Sequence, residues 1–283
     1  VSEPVQDLWD EEKARGLSEP ELLLYRSRLL GSDRRITNYG GGNTSAKVRM
    51  PDPLTRAAVD VLWVKGSGGD LGSIGLDGFA TLYLDKLAAL PALYRGREHE
   101  DEMAGLFAHC TFNLNPRATS IDTPPHAFVP HAHVDHMHAD AIIALAAARN
   151  GEYLTRDVFD GTIGWVAWQR PGFDLGLKVG ALARENPRLR GVILGGHGLF
   201  TWAGTSKECY QTTIEVIRRA EAWLRAKSHG LPFGGASART LSEPERDALL
   251  TQIAPVVRGR LGSRQRKVLH HVATPEVMEF VNG

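Results

Sequence analysis

Cysteine is scarce: Cys110 and Cys209 are the two in 283 residues. They are too far apart in sequence for a paired-cysteine metal motif and too few for a disulfide framework. Both are expected as reduced thiols on helices. Long hydrophobic runs are missing as well. Stretches such as "AIIALAAA", Ala141 to Ala148, fall far short of the roughly 20 apolar residues that cross a bilayer as a helix. The opening "VSEPVQDLWDEE" is acidic and lacks the apolar segment of a signal peptide, so a cytoplasmic setting is expected. Charge of one sign is lacking too, because 33 basic residues balance 33 acidic ones. No net field draws the chain to nucleic acid or to an anionic membrane, so recognition of charge must be local and the partner small. Internal repeats, heptads and low-complexity tracts are absent, which excludes solenoids and coiled coils.

An apolar fraction of 42% is enough for a proper core. Ser18 and Glu21 stand in capping-box spacing before "LLLYRSRLL", which predicts a first helix. "VDVLWVKGSGGDLG" reads as a strand running into a glycine turn. "GFATLYLDKLAALPALY" and "HEDEMAGLFAHCTF" read as helices, and "HAFVPHAHVDHMH" as extended chain before the helix "ADAIIALAAARNG". "RGVILGGHGLFTWAG" gives two short buried strands joined by a glycine turn, and Thr205 with Glu208 then caps a long helix. Strands and helices are interspersed throughout. A weak linker near "PFGGASART" divides a main domain, residues 1–232, from a tail, 233–283, in which Ser242 and Glu245 start another helix.

"VPHAHVDHMHADAII" places four histidines in a short extended stretch. Alternate residues of a strand share a face, so His136 with His138, or His131 with His133, can reach one metal, but the two pairs have opposite parity. The later pair precedes a helix, where α/β proteins build sites. A catalytic zinc needs a third protein ligand, and His197 in "GGHG" is the best candidate, because small neighbours let a ligand approach. His131 and His133 are expected to hydrogen-bond at a strand edge. The bland alternative, histidines that cap or simply hydrogen-bond, stays open on spacing alone. "TNYGGGNTSAK", Thr37 to Lys47, forms a second kind of site: glycines and hydroxyl residues able to nest phosphate. It is neither a Walker loop nor a dinucleotide fingerprint.

Taken together, "GGGNTSAK", "VKGSGGDLG", "HMH" and "GHGLFTW" in this order resemble the class II aldolase and adducin family over about Leu22 to Leu224. Within it, "EDEMAGLFAHCTFNLNPRATSIDTPPHAF" and "LGGHGLFTWAGTSKECY" look closest to the aldolase half of bifunctional rhamnulose-1-phosphate aldolase and short-chain dehydrogenase proteins. The resemblance implies an α/β fold of three layers, α/β/α, around a mixed, largely antiparallel sheet. It also implies a homo-oligomer and Zn2+ or another divalent metal on His136, His138 and His197. The implied reaction is cleavage of L-rhamnulose 1-phosphate to dihydroxyacetone phosphate and L-lactaldehyde. A phosphate would sit on the backbone N–H groups of Gly42, Asn43, Thr44, Gly66, Ser67 and Gly68. Family members carry a glutamate upstream of the paired histidines; here the matching position is Asp122, one methylene shorter, as the proton-transfer group. Other readings are a fuculose-phosphate aldolase, an epimerase or dehydratase, and an adducin-like scaffold. In similar bifunctional chains a dehydrogenase half follows, and the tail 233–283 is expected to be a linker and helical extension of the kind that leads into one.

Overall fold

The computed structural model of the protein describes residues 3–113, 117–230, 233–237 and 239–282. A seven-stranded sheet organises residues 1–225: β1 (Asn43–Pro51), β2 (Ala58–Lys65), β3 (Phe79–Tyr83), β4 (His133–Met137), β5 (Ile163–Val166), β6 (Gly191–Leu194) and β7 (Gly198–Ala203). Their order is β3-β2-β1-β4-β7-β6-β5. Every pairing is antiparallel except β5 with β6. The helices are α1 (Glu11–Ala14), α2 (Glu19–Gly31), α3 (Leu84–Ala89), α4 (Glu100–Leu106), α5 (Thr123–Phe128), α6 (Asp140–Ala146), α7 (Gly151–Phe159), α8 (Phe173–Glu185), α9 (Ser206–Lys227), α10 (Glu243–Leu261) and α11 (Pro275–Asn282).

Both sheet faces are covered, which explains why β6 and β7 read as nearly continuous apolar runs. On one face Leu62, Val64, Val134, Val192 and Phe200 pack against α3, α4, α5 and α8. On the other, Ala46, Met137, Ile193 and Leu199 meet α2, α6, α7 and α9. The expected mixed, largely antiparallel α/β fold is therefore present. The capping boxes of Ser18 with Glu21 and Ser242 with Glu245 form as their spacing predicts.

Two segments depart from expectation. Phe79–Tyr83, expected within a helix, is β3, because pairing with Val61–Lys65 of β2 overrides a helical spacing of leucines. His126–Phe128, expected as the start of the extended chain, instead close a helix, α5 (Thr123–Phe128). Its Pro124 and Pro125 fall in the first turn, where a missing N–H leaves no helical bond unmade. Residues 226–283 form a second compact unit. In it the rings of Phe233 and Phe280 meet edge to face at 5.2 Å. The expected boundary at Pro232 lies outside the described residues.

Candidate metal centre and its polar cradle

The site lies where the middle of the sheet ends. β4 runs between β1 and β7, with His136 in register with Asn43 on one side and Phe200 on the other. His138 follows two residues on, and the tight connection from β6 to β7 carries His197, whose N–H donates to the Leu194 carbonyl at 3.0 Å. Gly196 takes φ +64°, a conformation that favours glycine, and this turns the chain sharply enough to present His197. The three imidazoles converge: ring centroids are 4.7 Å apart for His136 and His138, 4.8 Å for His136 and His197, and 5.0 Å for His138 and His197. One nitrogen from each lies within 4.8 Å of the others.

The donor set suits a divalent transition metal. His136 donates through Nδ1 to the Leu199 carbonyl at 3.0 Å, which fixes the tautomer and leaves Nε2 free to bind an ion, 3.0 Å from Nε2 of His138. Burial, and then the neighbouring imidazoles, push His136 well below its ordinary value, and burial pushes His138 down to about 4. Neutral rings are the ligand form. His136 is stacked flat on Phe200 at 4.2 Å, so its plane is set by packing as well as by its hydrogen bond.

Around the triad lies a cradle of buried polar atoms without partners. Asp122, at the N-cap of α5, accepts from Asn43 Nδ2 at 2.8 Å through Oδ2, while its Oδ1 has no hydrogen-bond partner. Burial raises its carboxyl above the ordinary range, opposed by His197, Ser120, Lys65 and Asn43. The Asn43 Oδ1 and Thr37 Oγ1 are likewise buried and unpaired. Such orphan atoms in a native fold mark a place for a ligand or water. Sequence reasoning passed over Lys65 and Thr37. Lys65 is 1% exposed, its ammonium 3.3 Å from the Gly40 carbonyl, with Asp122 and Asp70 as the carboxylates that act on it. The signal was present, a lone cation closing the apolar strand "VLWVK" just before glycines.

The glycine turns are placed differently from one another. Gly41 and Gly42 abut the triad: a Cβ on Gly41 would stand 3.3 Å from His138 Nδ1, and one on Gly42 3.0 Å from the His136 carbonyl. Asn43 and Thr44 belong to β1, and the Thr44 hydroxyl points to the other face, 2.6 Å from Ser27 Oγ. In the second turn, Gly66 N–H donates to the Gly78 carbonyl at 2.9 Å and Ser67 N–H to the Ala118 carbonyl at 3.0 Å. Those two amides are engaged within the fold, and Ser67 and Gly68 are exposed.

His133 is not at a strand edge, because β4 is central. It is buried on the opposite face from His136, with Nδ1 3.0 Å from an Arg26 nitrogen. Arg26 also pairs with Asp135 at 2.9 Å, both side chains fully buried. The His131 ring lies 6.0 Å from Trp202. Glu100 accepts from the Asp174 N–H at the start of α8, at 2.9 Å.

A mixed α/β sheet whose central strand end and adjoining turn bring three histidines together near a buried carboxylate defines a fold with a site able to hold a divalent metal. The sequence pattern of the class II aldolase and adducin N-terminal domain matches residues 21–224, and the chain belongs to that family. It is 39% identical over 282 residues to the uncharacterized oxidoreductase YuxG of Bacillus subtilis (strain 168); the match takes in 99% of this chain but spans 40% of the length of that relative. The N-terminal class II aldolase domain of a conserved protein from Thermoplasma acidophilum superposes with a TM-score of 0.70 at 31% identity, over 78% of this chain and 99% of that one. A sugar-phosphate aldolase from Thermotoga maritima shares the fold at a TM-score of 0.53 and 14% identity, over 78% and 99% of the two chains. No helix among the described residues is long and apolar enough to cross a membrane.

Proposed function

We propose that the protein is a metal-dependent aldolase that cleaves L-rhamnulose 1-phosphate to dihydroxyacetone phosphate and L-lactaldehyde. The observation that carries this reading is the convergence of His136, His138 and His197 beside Asp122, whose Oδ1 is buried and unpartnered. A divalent ion held by the three imidazoles, zinc being the simplest choice, would supply Lewis-acid polarisation of the carbonyl next to which cleavage leaves negative charge. The remaining work belongs to the chain's own residues. Asp122, with its carboxyl raised by burial, holds and moves the proton at the reacting carbon. Asn43 orients that carboxylate through its 2.8 Å bond. The phosphate is received by Gly42 with the start of β1 at Asn43 and Thr44, where Thr44 can offer only its backbone because its hydroxyl faces Ser27, and by Ser67 with Gly68; Lys65 supplies the local cation in a chain without net charge. Gly66 contributes closeness rather than an amide, since a Cβ there would fall 2.9 Å from the Ala118 carbonyl. A homo-oligomer of this chain, working in the cytoplasm, completes the reading.

Cleavage of L-fuculose 1-phosphate is the second reading, since the same cradle would accept a ketose phosphate of the other configuration. The test is to incubate metal-loaded protein with each ketose phosphate, with and without a chelator, and to identify the three-carbon products. Dihydroxyacetone phosphate and lactaldehyde from the rhamnulose ester, abolished by chelator, are expected. Recovery of an epimerised or dehydrated sugar, or turnover unaffected by chelation, would overturn the reading.

A further inference from the structure

Two residues on one face of β1 each reach one residue of α5. Asn43 Nδ2 donates to Asp122 Oδ2 at 2.8 Å, and Ser45 Oγ shares a hydrogen bond of 2.7 Å with His126 Nδ1. Spacings of two on a strand and four on a helix keep side chains on a common face, so the two bonds are parallel rungs between the strand and the helix. His126 is fully buried, contributes no atom to the histidine triad and has an Nε2 with no partner. A leucine would fill the same space without the desolvation that an imidazole suffers. Burial pushes this ring down to about 3, so it is a neutral hydrogen-bonding group.

The helix it anchors cannot set its own position. α5 has six residues, well below the length at which a helix is stable alone, and carries Asp122 at its N-cap. From outside, α8 presses on it at two bare glycines: a Cβ on Gly176 would lie 2.4 Å from Pro124 Cβ, and one on Gly180 2.8 Å from Phe128 Cβ. That contact, with Phe128 edge-on to Phe173 at 5.3 Å, sets the outer side of α5, and the inner side sets how its N-terminal end meets β1. There the His126 ring meets Phe200 edge-on at 5.4 Å, and Phe200 is the ring stacked on His136.

We propose that His126 is a positioning residue: through Ser45 it fixes the rotation of α5 against β1 and so holds the Asp122 carboxylate at the histidine triad. The proposal rests on Asp122 being the proton-transfer group. His126→Leu, assayed in the metal-loaded full chain, lowers kcat by about tenfold to a hundredfold, the size expected when a reacting group is displaced by about 1 Å, with KM and bound metal within twofold of the parent. His126→Asn, whose amide takes the place of Nδ1, restores most of the loss. In an Asp122→Asn background His126→Leu has no further effect. Multiplicative losses in the two backgrounds, or loss of metal from His126→Leu, would overturn it. A crystal structure of His126→Leu reads the same point without turnover. The Asp122–Asn43 bond should open beyond hydrogen-bonding distance; a bond unchanged at 2.8 Å sinks the proposal even if the protein proves to be no aldolase. Should His126→Leu fail to fold, Ser45→Ala breaks the same rung with a smaller change in volume and carries the same expectations.

Discussion

Gly198→Ala tests whether the histidine triad is held by packing from behind. A methyl on Gly198 would stand 2.7 Å from the Met137 carbonyl oxygen, 2.9 Å from His138 Cδ2 and 3.4 Å from His136 Cε1. Ordinary carbon contacts begin near ~3.3 Å to oxygen and ~3.5 Å to carbon, so β4 and the His138 ring must each give way by about half an ångström. Metal–ligand distances tolerate about 0.2 Å, so the displacement exceeds what an ion accepts without strain. Overpacking of this kind costs about 1–3 kcal/mol. If most of that falls on the loaded site, metal affinity drops about tenfold to a hundredfold. Chelator competition with zinc measures it directly. Gly105→Ala is the control, since nothing stands within 4 Å of a Cβ at that helical position. An affinity for Gly198→Ala within twofold of the parent, or an equal loss in the control, would show that the rings are not braced by this strand.

Removing a ligand is harsher: His197→Ala or His136→Ala should abolish metal binding and cleavage while far-ultraviolet circular dichroism is retained, whereas His131→Ala, half-buried beside Trp202, should leave bound metal unchanged. Asp122→Asn should keep metal and slow turnover by about a hundredfold or more, read under saturating substrate. Arg26→Met leaves Asp135 charged and buried without its partner, and urea unfolding should show a loss of about 3–5 kcal/mol. Acid should destabilise the apo fold early. His126 and His133 are held down to about 3, so below pH 6.5 the unfolded chain binds protons that the folded one refuses. Stability then falls as pH drops from 6.5 toward 3, by about 1.4 kcal/mol per unit for each ring. A stability that stays flat between pH 6.5 and 5 in metal-free buffer would refute this.

Much of the site could be read in one dimension because strand parity is local. The two-residue spacing of His136 and His138 already puts both on one face, and "GGHG" after an apolar strand already signals a turn that exposes its histidine. The parity argument could not decide between the two histidine pairs. The place of the later pair before a helix favoured it, and the structure brings His136 and His138 together with His197 while turning His133 toward Arg26 on the other face.

The sequence by itself determined the alternation of strands and helices, the capping boxes, and the residue types able to hold a cation and an anion. These follow from spacings within a few residues, where chain geometry is fixed. The tertiary structure decided the helix at Thr123–Phe128 that places Asp122, the strand at Phe79–Tyr83, the engagement of the Gly66 and Ser67 amides within the fold, and the burial of Lys65. Each of these depends on a partner many residues away: Asn43 for Asp122, β2 for β3, Gly78 and Ala118 for the amides, Gly40 for the lysine. Local preference is worth a fraction of a kcal/mol per residue, and a buried hydrogen bond or an apolar contact with a distant element outweighs it.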